Sequence, residues 1–361
     1  MHKDDQMTPK ERRAALNIGD AIDRMPISMS YHSPGPRLMG WTRRQGYASA
    51  RTRADIQKKI YEVFGIDGVN ANYGSHAMGI AFGAIMSDPE NDNPAILEHP
   101  IKDIMDLSIL DLDVITKEND PNAKKCYEMA QMLLEEIGDE VGCGFDATGP
   151  FTSASALLGP ERLLKALIKN PDQVHKLMEF TTMASLQLAK PFLELGLSIS
   201  ISDPVASGSL LRKGHFYEFV VPYSRRFVEG CKAISPCSIT GHICGDTMAI
   251  LEGMVECGYD VISLDNMVDI EIAKERVGNK VHLLGNVDPV NIILFGTPDD
   301  VKESVRECFA KAWDSPKGYT IGTGCDTPLA APLENSLAFM EAARKCAKYP
   351  LNPGNWGERM A

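Results

Sequence analysis

The 361-residue sequence has no long hydrophobic run and no excess of positive charge. No apolar segment approaches the roughly 20 residues that a helix needs to span a bilayer. The first residues, Met-His-Lys-Asp-Asp-Gln, lack the apolar stretch of a secretory signal peptide. We therefore expect a cytoplasmic protein with no membrane partner. The formal net charge of -12 argues against nucleic-acid binding, which needs a basic surface.

The sequence also contains no low-complexity tract and no Gly/Ser-rich linker. Hydrophobic residues make up 44% and charged residues 24%, which is ordinary for a globular protein. The length allows one large domain or two modest ones. The nine cysteines are odd in number and widely spread, which is typical of reduced thiols and not of a disulfide framework. We expect most of them to be small apolar core residues.

Eight short apolar runs alternate with longer amphipathic segments, as in parallel sheets with crossover helices. The runs are Met25–Ser30, Gly68–Asn72, Val141–Phe145, Leu197–Ile201, Cys237–His242, Val261–Leu264, Val281–Leu284 and Tyr319–Gly322. Eight such units predict an α/β fold of the (β/α)8 TIM-barrel type, which usually needs about 250 residues. The pattern thus predicts one barrel domain over 1–361. A doubly wound sheet is the structural alternative, but no Gly-x-Gly-x-x-Gly follows the first strand.

The residues in excess of a minimal barrel are expected in two places, an N-terminal helical extension at 1–23 and an insertion at 74–140. Thr8, Pro9 and Glu11 have the spacing of a helix start and predict a helix over 8–22. Further amphipathic segments predict helices at 158–170, 172–195, 215–234, 247–257, 269–276 and 298–312.

A small or polar cluster follows each predicted strand. In a barrel these strand ends gather on one face, where barrel enzymes have their active sites. Asp, Asn and Ser also cap helices, so each cluster keeps that second interpretation. The candidate substrate-binding residues at these ends are Tyr31, His32, Tyr73, His76, Phe145, Asp146, Asp203 and Asn286. Six apolar residues near the strand ends could form a slot for an aromatic ring or pack the rim: Tyr31, Tyr73, Met78, Phe145, Phe151 and Met267.

His242 and Cys244 lie two residues apart at the end of the fifth predicted strand, so their side chains point the same way. Cys325 ends the eighth strand and would be close to them across a barrel mouth. Two thiolates and one imidazole suit Zn²⁺, and three protein ligands leave the open position of a catalytic site. Packing cysteines and a buried histidine are the alternative interpretation. The carboxylates of three residues could orient His242 without binding the metal themselves: Asp246, Asp265 and Asp326.

Four segments together resemble the cobalamin-dependent methyltransferase branch of the uroporphyrinogen decarboxylase superfamily. They are Gly241-His-Ile-Cys-Gly-Asp246, Leu284-Gly-Asn-Val-Asp-Pro289, Gly324-Cys325 and Pro332-Leu-Glu-Asn335. The similarity extends from the Arg24-Met-Pro-Ile27 segment to the last helix. The resemblance implies a (β/α)8 barrel with a catalytic zinc on His242, Cys244 and Cys325.

The decarboxylase branch of the same superfamily is less similar. Its arginine-rich opening segment binds porphyrinogen carboxylates, and only Arg37 remains in the comparable stretch here. Its aspartate after the second strand is also missing, because that region reads Asn70-Ala-Asn-Tyr-Gly-Ser75. Decarboxylation is therefore disfavoured but stays an alternative.

The resemblance implies methyl transfer to or from the cobalt of a corrinoid. The chain has no corrinoid-binding Asp-x-His-x-x-Gly, so we expect a separate corrinoid-binding protein as partner. The six apolar residues favour demethylation of a methyl ether, such as a methoxy aromatic. A methylcobamide:thiol methyltransferase of the coenzyme M type is a close alternative. A non-catalytic corrinoid or metal sensor is an alternative of a different class.

Overall fold

The computed structural model describes residues 2–356. Its first helix, α1 (Pro9–Ile18), begins as predicted with Thr8 as N-cap. Thr8 and Glu11 form a reciprocal capping box, in which each side chain accepts a hydrogen bond from the other residue's backbone N–H. The helix ends before the predicted residue 22, because Gly19 adopts a left-handed conformation with φ of 76° and accommodates the turn that follows.

The described chain has ten strands, and each of the eight predicted runs overlaps one of them. They are β1 (Ile27–Ser28), β2 (Gly68–Asn72), β3 (Ile85–Met86), β4 (Ile96–Glu98), β5 (Gly142–Thr148), β6 (Ser198–Ser202), β7 (Ile239–His242), β8 (Val261–Ser263), β9 (His282–Val287) and β10 (Tyr319–Thr323). The short antiparallel hairpin β3–β4 lies in the segment predicted as an insertion.

The other eight strands form one parallel sheet in the order β1-β10-β9-β8-β7-β6-β5-β2. Apart from the hairpin, each strand from β2 to β10 neighbours the next one in the chain, and β1 pairs with β10, the last. A doubly wound sheet would instead reverse its order near the middle. The sequential order and the return of β1 to β10 define a (β/α)8 barrel, and the fold prediction is confirmed.

Helices follow most strands, as the crossover connections of a parallel sheet require. After α1 they are α2 (Arg43–Gly46), α3 (Ala50–Phe64), α4 (Ala77–Ala81), α5 (Pro121–Ile137), α6 (Pro150–Leu158), α7 (Pro160–Lys169), α8 (Pro171–Glu194), α9 (Lys213–Phe219), α10 (Val221–Ile234), α11 (Leu251–Glu256), α12 (Ile270–Val277), α13 (Pro298–Ala312) and α14 (Leu333–Ala347). Within residues 2–356 no helix combines the length and apolar character needed to cross a membrane.

Two strands continue three residues beyond their predicted ends. β5 runs to Thr148 and not to Phe145, and β9 runs to Val287 and not to Leu284. In both cases parallel pairing with the neighbouring strand continues through the polar residues, so their backbone groups stay hydrogen-bonded. Asp146 and Asn286 therefore lie inside strands, and not in the loops that their residue types suggested.

The chain divides into two compact units, which we describe separately. Unit 1 comprises the described parts of Met1–Val69, Met132–Cys143 and Ser263–Ala361. In it, two buried arginines hold the N-terminal segment: Arg12 makes a bidentate pair with Asp23, and Arg24 makes one with Asp5. Both arginines also bind Asp67, just before β2. Each buried charge is thus paired, as burial in a low dielectric requires.

Unit 2 comprises Asn70–Gln131 and Gly144–Ile262. Its core lies between the strands and helix α8. Phe145 of β5 is fully buried and stacks on Phe192 of α8 with ring centroids 3.8 Å apart. On β6, Ile199 and Ile201 are buried as well, while the serines that alternate with them are only half-buried. The strands therefore turn their large apolar side chains to the helices and small polar ones to the opposite face.

Candidate metal centre

His242 is the last residue of β7, and Cys244 follows it by two positions. The His242 Nε2 and Cys244 Sγ atoms lie 3.4 Å apart. Tetrahedral zinc with typical Zn–S and Zn–N bonds of about 2.3 and 2.0–2.1 Å would separate such atoms by about 3.6 Å. Gly245, with φ of 81°, then makes the turn that ends this segment. The pair thus has the spacing of two ligands of one metal ion.

Four residues in the described chain form a group that could hold a metal: His242, Cys244, Asp265 and Cys325. One ligand atom from each lies within 4.8 Å of the others, and Asp265 is buried while the other three are half-buried. It is the only such group within residues 2–356. The sulfur and nitrogen donors fit zinc in ligand type, and the carboxylate adds an oxygen that zinc also accepts.

Four of the other cysteines are buried in the core and have a raised pKa. Burial raises the pKa of Cys231 and Cys257 to about 12. It raises the pKa of Cys308 and Cys346 to about 11. These thiols stay protonated at neutral pH, and metal binding requires the thiolate. They are small buried core side chains, as the sequence indicated.

In unit 1, the Asn286 side chain is hydrogen-bonded to the loop that contains Asp265. The Asn286 Nδ2 donates to the backbone carbonyl oxygens of Asp265 and Val268, at 2.9 and 2.7 Å. The Asp265 carboxylate accepts the Met267 backbone N–H at 3.0 Å. Asn286 is thus in a position to fix the loop that carries Asp265. Its predicted contact with substrate stays a prediction.

Asp326 follows Cys325 directly and is bound to the loop after β1. One carboxylate oxygen accepts from the Ser30 hydroxyl and the His32 backbone N–H, both at 2.9 Å. The other accepts from the backbone N–H and the hydroxyl of Ser33, at 3.0 and 2.6 Å. Tyr47 donates to the His32 carbonyl oxygen at 2.8 Å. Burial, and then the negative charge of Asp326, raise the pKa of Tyr47 to about 12, so its hydroxyl stays a donor.

Asp246 and Asp203 are bound to backbone near the end of β7. Asp246 is exposed and accepts the Met248 backbone N–H at 2.9 Å. Asp203 is buried and accepts from the backbone N–H and hydroxyl of Thr152, at 2.7 and 2.6 Å. Its own backbone N–H donates to the His242 carbonyl oxygen at 2.9 Å. Burial raises the pKa of Asp203 to about 6, in spite of these hydrogen bonds.

The aromatic candidates lie in the core. Tyr31 is 4% exposed and packs edge-on against Phe64, and Phe145 stacks on Phe192. Tyr73 is 3% exposed and donates to Asp120; burial and then the Asp120 charge raise its pKa well above the usual value. Met78 and Phe151 are also buried, whereas Met267 is 60% exposed. Five of the six proposed slot residues thus offer little surface to a substrate ring.

His32 and His76 are half-buried. His32 is held through its backbone by Asp326 and Tyr47, and His76 directly precedes α4.

Sequence reasoning missed the polar face formed by alternate residues of β5, β6 and β7. Its signal was visible in the Ser-Ile-Ser-Ile-Ser run of 198–202, which has the period of a strand with one polar side.

Fold and site together define a (β/α)8 barrel with a sulfur- and nitrogen-rich metal-ligand group at its strand ends. The family model described as uroporphyrinogen decarboxylase (URO-D) matches residues 8–346, and the chain belongs to this family. The resemblance inferred from the four segments is confirmed at this level.

Several relatives match nearly their whole length. The methylcobamide:CoM methyltransferase MtaA of Methanosarcina barkeri is 25% identical over 344 residues, covering 93% of this chain and 98% of the relative. The methylcobamide:CoM methyltransferase MtbA of Methanosarcina acetivorans is 28% identical, and the match covers 94% of this chain and 98% of the relative. The uroporphyrinogen decarboxylase of Prochlorococcus marinus is 28% identical, and the match covers 91% of this chain and 96% of the relative. A solved methyltransferase from Methanosarcina mazei superimposes with a TM-score of 0.81 at 25% identity, over 94% of this chain and 98% of that one.

Proposed function

We propose that this protein is a corrinoid-dependent methyltransferase whose substrate at the metal centre is a thiol. The reaction moves a methyl group from the cobalt of a corrinoid to the substrate sulfur. The new S–CH3 bond forms as the Co–CH3 bond breaks, and the bonding electron pair stays on cobalt. The corrinoid is carried by a separate protein.

The observation that carries the proposal is the ligand group of His242, Cys244 and Cys325. Two thiolates and a neutral imidazole balance the charge of a divalent ion, and a site with three protein ligands leaves a position for substrate. A bound Zn²⁺ would supply Lewis acidity that keeps a substrate thiol in its nucleophilic thiolate form at neutral pH. One Asp265 carboxylate oxygen lies within 4.8 Å of a ligand atom of each of these three residues.

The surrounding residues hold these ligands in place. Asp203 fixes the backbone at His242, Asn286 fixes the loop of Asp265, and Asp326 ties the segment after Cys325 to the loop after β1. Preorganised ligands of this kind avoid the free-energy cost of ordering a site when substrate arrives. The orienting role of Asp246 and the substrate contacts of His32 and His76 remain predictions.

Thiol methylation accounts for the residues better than the alternatives. Methyl-ether demethylation was favoured by an aromatic slot, but Tyr31, Tyr73 and Phe145 are buried in the core. Relatives named for CoM methylation also support a thiol substrate. Decarboxylation of a polyanionic porphyrinogen needs several cations, and the segment that supplies them in decarboxylases retains only Arg37.

The test combines zinc-loaded protein with methylcobalamin as a soluble methyl donor and a panel of small thiols. Loss of the methylcobalamin spectrum together with formation of the methyl thioether measures transfer. We expect the native protein to transfer the methyl group. The transfer rate should fall at least about a hundredfold in Cys325→Ser, because a hard oxygen replaces a thiolate ligand. Cys237→Ser is the matched control, because Cys237 is equally half-buried and lies outside the ligand group.

Equal transfer by Cys325→Ser and Cys237→Ser would refute the metal-centre assignment. Methoxybenzoate is added to the same assay with cob(I)alamin as methyl acceptor. If it alone reacts, the substrate is a methyl ether. Carbon dioxide release from a porphyrinogen would identify a decarboxylase, and zinc binding without any transfer would identify a sensor.

A further inference from the structure

Strands β5, β6 and β7 bring polar side chains into two rows across unit 2. In the parallel register Asp146 pairs with Ser200, and Ser200 pairs with Thr240. Two residues further along, Thr148 pairs with Ser202, and Ser202 pairs with His242. Since successive rows of one face are two residues apart, they are separated by about 6.6 Å. The row of Asp146, Ser200 and Thr240 therefore lies one step deeper along the strands than the row of His242.

The side chains of these rows point away from the helices. A Cβ built on Gly144, which is on the same face as Asp146, would collide with the Asn70 Oδ1 and lie 3.2 Å from the Ser198 Oγ. The intervening Phe145, Ile199 and Ile239 are 0–1% exposed and face the helices. The polar face is thus continuous with the side on which His242 lies.

This polar face differs from the usual barrel interior. Barrel interiors are normally filled by bulky branched residues such as Val, Ile and Leu. Here Asp146, Ser200, Ser202 and Thr240 occupy interior-facing positions and are each half-buried, so solvent reaches them. Small polar side chains therefore line this face of the central strands next to the His242 row.

The chemistry of the deeper row favours one class of ligand. Asp146 supplies carboxylate oxygens, and Asn72 donates to one of them at 3.3 Å. An ionised carboxylate only accepts hydrogen bonds, so a ligand group that contacts it must be a donor. Ser200 and Thr240 add hydroxyls on the neighbouring strands. An ammonium or hydroxyl group fits this row, whereas an anionic group would be repelled by Asp146.

We propose that Asp146, Ser200 and Thr240 form a subsite for the tail of a short thiol that carries an amino group two or three carbons from sulfur. This inference rests on the proposed function, since it takes the reacting sulfur to be held beside His242. Asp146 pairs with the ammonium group, and the hydroxyls of Ser200 and Thr240 accept its remaining hydrogen bonds. Asp146 is thereby a specificity-determining residue.

The test compares 2-aminoethanethiol, 2-mercaptoethanol and 3-mercaptopropionate with zinc-loaded protein and methylcobalamin. We expect kcat/KM for the amine to exceed that for the carboxylate by about tenfold or more, a typical effect of one charged hydrogen bond. Asp146→Asn keeps the shape of the side chain and should remove most of this preference through KM, with kcat little changed. Glu229→Gln, on the exposed face of α10, removes the same charge elsewhere in unit 2 and should leave the preference intact.

A second readout needs no methyl transfer. Calorimetry measures binding of the product analogues 2-(methylthio)ethylamine and 3-(methylthio)propionate without any corrinoid. The amine should bind about tenfold more tightly than the carboxylate, and Asp146→Asn should abolish the difference. Thr240→Val, which removes one hydroxyl at nearly constant volume, should weaken amine binding severalfold.

The outcomes separate this inference from the proposed function. Thiol methylation whose substrate preference is unchanged in Asp146→Asn overturns the subsite and leaves the methyltransferase assignment standing. Amine-selective binding that depends on Asp146, without transfer to any thiol, supports the subsite and refutes the thiol reaction. Tighter binding of the carboxylate by native protein overturns the subsite directly.

Discussion

Replacing Asp326 by asparagine tests how the segment after Cys325 is held. Each carboxylate oxygen of Asp326 accepts one backbone N–H and one hydroxyl, from Ser30, His32 and Ser33. An asparagine has only one oxygen, so its amide NH2 must face either the His32 or the Ser33 backbone N–H. A hydroxyl can rotate to accept a hydrogen bond, but a backbone N–H cannot. The unsatisfied N–H costs about 1–3 kcal/mol, and the loss of charge weakens the remaining bonds.

We expect Asp326→Asn to lower the free energy of unfolding by about 2–4 kcal/mol, measured by urea denaturation at pH 7 in one defined metal state. Asp269→Asn is the matched control. Asp269 caps α12 with a single oxygen that accepts both the Glu271 and Ile272 backbone N–H groups. Asparagine keeps that oxygen and is as good an N-cap, so the control should lose less than about 1 kcal/mol. Equal losses in the two variants would show that the second carboxylate oxygen of Asp326 does not stabilise this segment.

Three further predictions concern buried contacts. Burial alone would raise the pKa of Asp23, but hydrogen bonds from Arg12, Gln6 and Met7 lower it to about 2. Because the folded pKa lies below the unfolded value of 3.8, the stabilisation is present above about pH 4 and is lost as the pH falls through 2. The stability gap between native protein and Asp23→Asn should therefore narrow over that range in denaturation curves, and a constant gap contradicts this. Phe145→Ala should cost about 3–5 kcal/mol in thermal unfolding, since its ring is fully buried against Phe192. A loss below 1 kcal/mol would place the ring outside the core. Tyr73→Phe should cost about 1–3 kcal/mol, because the buried Asp120 loses a hydrogen-bond donor, and an unchanged denaturation midpoint would exclude that contact.

The alternation of apolar runs and amphipathic segments was enough to predict the barrel. All eight runs became strands, and Thr8 began the first helix as expected. The ends of β5 and β9 were missed because Asp146 and Asn286 are residue types typical of turns. In a barrel with a polar interior face such residues continue the strand, and only tertiary pairing distinguishes the two cases.

The ligand group was partly predictable for the same physical reason. The spacing of His242 and Cys244 on one strand fixes their common direction, so sequence alone pairs them. The proximity of Asp265 depends on a different strand end. The partners of Asp326 lie in the loop after β1, nearly the whole chain away. No local pattern encodes contacts of that range. The burial of Phe145 follows from strand alternation once Asp146 is known to be part of β5.

Metal analysis measures whether His242, Cys244 and Cys325 bind zinc. The protein is dialysed against excess zinc, freed of unbound metal and measured by plasma mass spectrometry. We expect one zinc per chain in native protein and in Cys237→Ser. We expect near-complete loss of zinc in His242→Ala/Cys325→Ala, because two of the three ligands are removed. Full zinc content in the double variant, or none in the native protein, would contradict it.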